Sequence, residues 1–164
     1  MKIEAFLKKM EVANKGYFQC INTPTGTVAH NNYMIIRTSD NANVPNTKDF
    51  SRGTFQCMEK IEREMKRGYK SFDEIPTIEG LKECIRDIAG RKTSTKVAYY
   101  FGDNVMVNAR WLKDILEYLG EDVAVYYYSS KAPIKIVGDK AVVYICGINC
   151  NGARLEEGYC YQVN

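Results

Sequence analysis

The sequence predicts an α+β fold in which a mainly antiparallel sheet packs against two or more amphipathic helices. Twelve tyrosines and six phenylalanines in 164 residues favour pleated, half-buried surfaces. Apolar residues change several times between the helical period and strict alternation. Helix and strand signals alternate without the Gly-rich turns that open the helices of a parallel nucleotide-binding sheet.

Taken in order, Ile3, Phe6, Leu7 and Met10 recur at helical spacing while Lys2, Glu4, Lys8, Lys9 and Glu11 fill the other positions, and Gly16 is the expected stop. Tyr17 to Ile21 reads as a strand and Thr23-Pro24-Thr25-Gly26 as a turn. Two further strands follow, separated by Asn31-Asn32, a pair that tolerates the positive φ of a tight hairpin. Ser39 to Ser51, interrupted by Pro45, reads as an exposed loop. Phe55, Met58, Ile61 and Met65 mark a second helix over 54–67, ended by Gly68. Residues 69–77 are expected to be a plain connection, and Ile78, Leu81, Ile85 and Ile88 mark a third helix over 78–89.

The clearest stretch runs from Lys96 to Asn149. Lys96 to Phe101 is a strand, Gly102-Asp103-Asn104 a turn, and Asn108 a cap for the helix whose buried stripe is Ala109, Leu112, Ile115, Leu116 and Leu119. Gly120 stops that helix, and three strands follow, the last two joined at Gly138-Asp139. Both halves of the chain thus have a similar order of elements, without residue identity that would prove a duplication.

Composition narrows the function. No apolar run approaches a membrane span, and the charged N-terminus has no secretory core, so an unexported, cytoplasmic chain is expected. Its six cysteines then read as thiols rather than a disulfide framework. The net charge of +3 permits nucleic-acid contact without demanding it.

The candidate sites follow from residue chemistry. Cys146, Cys150 and Cys160 with His30 offer a zinc donor set, although the cysteine spacing lacks a two-residue knuckle and packing as thiols is the stronger expectation. His30 is the single histidine, hence the one candidate imidazole base. Lys60, Arg63, Lys66, Arg67 and Lys70 are interrupted by glutamates and read as a solvated helix face with i to i+4 ion pairs. Arg91, Lys92 and Lys96 flank a Ser/Thr-rich turn with no acid nearby, the stronger place for a phosphate contact. Arg110 and Lys113 are offset by Asp114 and Glu117, and the N-terminal helix sets the three lysines Lys2, Lys8 and Lys9 against Glu4 and Glu11. The paired tyrosines Tyr99, Tyr100 and Tyr126 to Tyr128 are expected to divide between the core and the opposite surface.

The stretch VMVNARWLKDILEYLGEDVAVYYYSSKAPIKIVGDKAVVYICGIN resembles the closing half-domain of the bacterial DNA polymerase sliding clamp. The shared pattern is a strand ending in Asn-Ala, the aromatic-Leu pair Trp111-Leu112 opening a helix, a strand, a Pro-initiated strand from Pro133, and a final apolar strand. GTVAHNNYMIIRTSD is more loosely similar to the opening half-domain. The resemblance implies a DNA-clamp-like fold without catalysis and without a cofactor. It further implies a homo-oligomer around double-stranded DNA, with a groove for replication-protein peptides. Phosphate contacts would fall on Arg91, Lys92, Lys96, Arg110, Lys113, Lys8 and Lys9.

The chain departs from that family in having room for one domain where a clamp chain carries three. It would divide into a divergent first half (1–90), a clamp-like second half (91–149) and an extension (150–164). Cys146-Gly147-Ile148-Asn149 also stands where a Met-Pro segment is usual. A binding domain of a replication accessory or mobile-element protein is the reading adopted. A small enzyme using His30 or a cysteine, and an interaction domain without DNA contact, remain the alternatives.

Overall fold

A computed structural model describes residues 1–150 and 154–164. Of the extension expected at 150–164, residues 151–153 lie outside the described residues.

Helix α1 (Ile3–Ala13) leads through a short 3-10 turn to strands β1 (Gln19–Thr23), β2 (Gly26–His30) and β3 (Met34–Thr38). Helix α2 (Arg52–Arg67), strand β4 (Lys70–Ser71) and helix α3 (Ile78–Ala89) follow. Then come β5 (Lys96–Gly102), β6 (Val105–Asn108), helix α4 (Ala109–Leu119), β7 (Ala124–Tyr127), β8 (Ile134–Val137), β9 (Ala141–Ile145) and β10 (Tyr159–Val163). Seven strands form one sheet in the order β1-β2-β3-β9-β8-β7-β4, and three form a second in the order β10-β5-β6. Every ladder described is antiparallel. The α+β class read from the sequence is the observed one.

The order α-β-β-β occurs twice, as α1-β1-β2-β3 and α4-β7-β8-β9, and the two units meet where β3 pairs with β9. Strand alternation makes one face of this sheet a continuous inner row. Cys20, Ala29, Ile36, Val143, Ile136 and Val125 stand opposite one another across six strands. All six are buried in the main core. Beneath them lie α1 and α4, with Phe6 of α1 stacked on Tyr118 of α4 at 5.2 Å between ring centroids. Leu112, Ile115 and Leu116 recur on the buried side of α4, as their spacing predicts. Asn108 caps that helix by accepting from the N–H groups of Arg110 and Trp111 at 3.0 and 3.2 Å.

The opposite, outer face of the sheet is also covered. Val28, Ile35, Tyr126, Val142 and Tyr144 form a second apolar patch, and α2 lays Met58, Ile61 and Met65 on it. Glu62 fixes the helix there, accepting from the Tyr144 hydroxyl at 2.5 Å and pairing with Lys135 at 2.6 Å.

Several local expectations need correction. Helix α1 stops at Ala13 rather than at Gly16, because the polar side chains beyond it bond elsewhere: Asn14 Nδ2 donates to the Asn31 carbonyl, and Asn31 Nδ2 to the Met10 carbonyl. Strand β1 begins at Gln19, two residues late, since 15–17 form the 3-10 turn. The expected connection over 69–77 contains β4, which pairs with β7 through Lys70↔Tyr127 and Ser71↔Tyr126. The loop 39–51 is not wholly exposed, for Ala42 is buried and Thr47 exchanges hydrogen bonds with Cys20. Gly26 is required by geometry, because a Cβ there would fall 1.8 Å from the Thr38 carbonyl oxygen. Among the described residues no helix is long and apolar enough to cross a membrane.

Candidate functional site

The basic residues expected to meet phosphate divide into two groups with different surroundings. Those on the two inner helices are engaged. Lys9 reaches from α1 to Asp114 of α4 at 3.3 Å, and Lys113 pairs with Asp114 at 3.1 Å and Glu117 at 3.4 Å. Burial works against the charge on Lys113, yet the two carboxylates outweigh it and raise its pKa above the ordinary lysine value. Lys8 pairs with Glu11 at 2.8 Å on the same helix. Arg110 turns back to the loop before β5 and donates to the carbonyls of Lys92 and Thr95 at 2.9 and 3.5 Å. Lys9 thus joins helix to helix and Arg110 helix to loop, while Lys8 and Lys113 are compensated on their own helices.

Arg91, Lys92 and Lys96 differ. All three are exposed, and among the described residues none has a carboxylate within ion-pair distance. Their loop is ordered from below. Gly90 closes α3 at φ 56° with its N–H on the Arg86 carbonyl, Lys92 N–H donates to Ala89, and Arg110 holds the far side. A braced loop that carries free cations suits anion contact, because little further ordering is needed on binding.

The weak zinc donor set is not brought together. Cys146 lies past the end of β9, exposed, with its thiol on the Asn32 carbonyl at 3.9 Å. Strand β9 ends one residue before it, at Ile145. Cys150 packs with Ala98, Tyr100 and Met106 on the small sheet, and Cys160 of β10 sits beside Cys84 of α3, where burial and the neighbouring thiol push its pKa up. No group of three or more metal-competent side chains occurs among the described residues.

His30 is buried beside a concavity of about 580 Å³, which Tyr17, Tyr33, Asp49 and Cys57 also line. Its Nε2 bonds the Gln19 side-chain oxygen at 2.8 Å. That oxygen also accepts from Ser51 N–H at 3.0 Å, while the Gln19 amide nitrogen donates to the Asp49 carbonyl. The three bonds fix the amide orientation, so Nε2 carries the proton. Burial lowers the His30 pKa, keeping the ring neutral at neutral pH. An amide partner orients the imidazole but cannot stabilise an imidazolium as a carboxylate would.

The tyrosines divide as alternation requires. Tyr99 and Tyr127 enter the main core, whereas Tyr126 and Tyr128 pack on the outer face and Tyr100 on the small sheet. The sequence reading missed the orientation of Glu62, whose nearest signal is its place between Ile61 and Met65 on the flank of the buried stripe. Comparison with protein-family models, curated proteins and solved structures returned no match.

Proposed function

We propose that the chain is a non-catalytic, clamp-like binding domain that works by edge-to-edge association with further copies of itself. The observation that carries this reading is the pairing of two α-β-β-β units through β3 and β9, with their helices side by side beneath a shared sheet. That arrangement accords with the likeness of 105–149 to a sliding-clamp half-domain.

The sheet edges indicate where copies would join. The outer edge of β1 is covered by 44–47, through Asn46 and Thr47 side chains that accept from the N–H groups of Asn22 and Cys20. The outer edge of β6 is covered by Ile148, whose N–H donates to the Met106 carbonyl. β4 has only two residues, one of them Lys70. β10 pairs with β5 on one side, and among the described residues nothing bonds its other side. Its sequence, Tyr-Cys-Tyr-Gln-Val, has no charge or proline to deter pairing. A second copy of the same strand would meet it without like-charge opposition.

A phosphate contact is favoured at Arg91, Lys92 and Lys96, the three cations of the original set whose side chains meet neither a carboxylate nor a backbone carbonyl among the described residues. A duplex probe should bind with a salt slope that shallows when all three are changed to alanine, and salt-independent or absent binding would remove this contact. Multi-angle light scattering over a concentration series tests association. Mass that rises with concentration supports edge pairing, and a constant monomer mass excludes it.

A further inference from the structure

The helix on the outer face was expected to neutralise itself through i to i+4 ion pairs, and it does not. Glu59 and Arg63, Lys60 and Glu64, and Glu62 and Lys66 have the required spacing. None of these pairs closes to ion-pair distance; the bonds made instead are Glu64 to Arg67 at 3.4 Å and Glu62 to Lys135 at 2.6 Å. Arg52, Lys60, Arg63 and Lys66 are left exposed without a carboxylate partner among the described residues.

Arg37 of β3 adds to them. It stands on the outer face between Val28 and Val142, exposed and likewise unpaired. A groove of about 420 Å³ brings Arg37, Arg63 and Lys66 together with Phe55, Glu59 and Glu62. Lys135 pairs with Glu62, which Arg37 also favours from beyond ion-pair distance, so the groove holds three cations and one carboxylate without a close partner, that of Glu59. Lys66 also lines the adjoining groove, with Tyr69 and Tyr126. Aromatic rings stand at both ends of this track. Phe55 is 37% exposed and backed by Phe50 at 5.5 Å, and Tyr69 is 63% exposed and backed by Tyr126 at 5.3 Å. Phe55 and the helix end at Arg67 are separated by about 18 Å at the helical rise, and Tyr69 lies two residues beyond that end.

We infer that the outer face of α2 binds single-stranded nucleic acid, with Arg37, Arg63 and Lys66 on phosphates and Phe55 and Tyr69 as platforms for unpaired bases. Cations alone would accept any polyanion. The braced, exposed rings select a strand whose bases are free to stack, since every base has a π-face while a duplex keeps its own hidden. This surface lies on the face of the sheet opposite α1 and α4. It is therefore separate from the contact proposed at Arg91, Lys92 and Lys96, and it does not depend on self-association.

The test is fluorescence anisotropy with a labelled oligothymidylate across a salt series, using the whole chain. Wild type should bind, more tightly than it binds a duplex of the same length. Arg63→Glu with Lys66→Glu should lower affinity at least tenfold and shallow the salt slope by about 1.4. Phe55→Ala should cost roughly tenfold while leaving that slope in place. Both variants change exposed side chains, and circular dichroism with light scattering on the same samples reports fold and oligomeric state independently. Binding unchanged by the double reversal, lost equally in R91A/K92A/K96A, or displaced as well by polyglutamate as by oligothymidylate would each overturn the proposal. So would a preference for duplex.

Discussion

Glu62 of α2 and Lys135 of β8 stand 2.6 Å apart, and the same carboxylate receives the Tyr144 hydroxyl. A charge that helix geometry would offer to Lys66 is thereby directed into the sheet, which both anchors α2 and leaves its outer cations free. Two predictions follow from this contact.

Tyr144→Phe removes a hydroxyl bonded to a charged group on a ring that is 1% exposed. The expected loss is about 1–2 kcal/mol, read from urea denaturation. An unchanged midpoint would mean that the bond does not hold the helix.

Glu62 also gives a pH signature. Burial alone would raise its pKa, but hydrogen bonds from Lys135 and Tyr144 outweigh that and lower it below the ordinary 4.5. The unfolded chain therefore binds this proton more readily than the folded one. The stabilisation is fully present above pH 4.5 and is lost as pH falls through the lower folded value. Subtracting the stability–pH curve of Glu62→Gln from that of wild type should show this loss as pH falls below 4.5, and a flat difference would contradict it.

Much of the architecture could be read from residue order, and the reason is local. The stripe Leu112, Ile115, Leu116 and the cap at Asn108 define α4 without reference to any other element. The alternation in Ile134 to Val137 and Ala141 to Ile145 does the same for β8 and β9. What escaped depends on partners far along the chain. β4 is two exposed residues that become a strand only because β7 lies beside them. The loop 39–51 looks mainly polar, yet Thr47 and Asn46 complete the edge of β1 from a distance. The helical period identified the buried face of α2 but gave no means of knowing that Glu62 would find Lys135, 73 residues later. For the same reason, charge counting along α1 and α4 anticipated compensation but not the bridge from Lys9 to Asp114 between helices.

Asn31 is fully buried and makes four contacts that tie the end of α1 to the β2–β3 turn. Its Nδ2 donates to Met10, its Oδ1 accepts from the N–H groups of Tyr33 and Met34, and its carbonyl accepts from Asn14. Asn31→Ala leaves the N–H groups of Tyr33 and Met34 without partners and removes the bond to the Met10 carbonyl, and should cost about 3 kcal/mol by chemical denaturation. A loss of only a few tenths would show that the turn holds itself.

At the seam between the two repeated units, Ile36 faces Val143, both fully buried. Truncation by Ile36→Ala should destabilise the protein by roughly 3–4 kcal/mol, with the cavity contributing beyond the lost transfer energy. Thermal denaturation would reveal it, and near-neutral behaviour would argue against a single core spanning the seam.

The clamp-like assignment is tested most directly by light scattering of wild type beside Tyr159→Lys with Gln162→Lys, both exposed positions on β10. Wild type is expected to form a dimer whose share grows with concentration, and the lysine pair, placing like charges across the joined edge, is expected to return it to monomer without loss of fold. A wild-type chain that stays monomeric at every concentration, or oligomers indifferent to the two lysines, would contradict association through that edge.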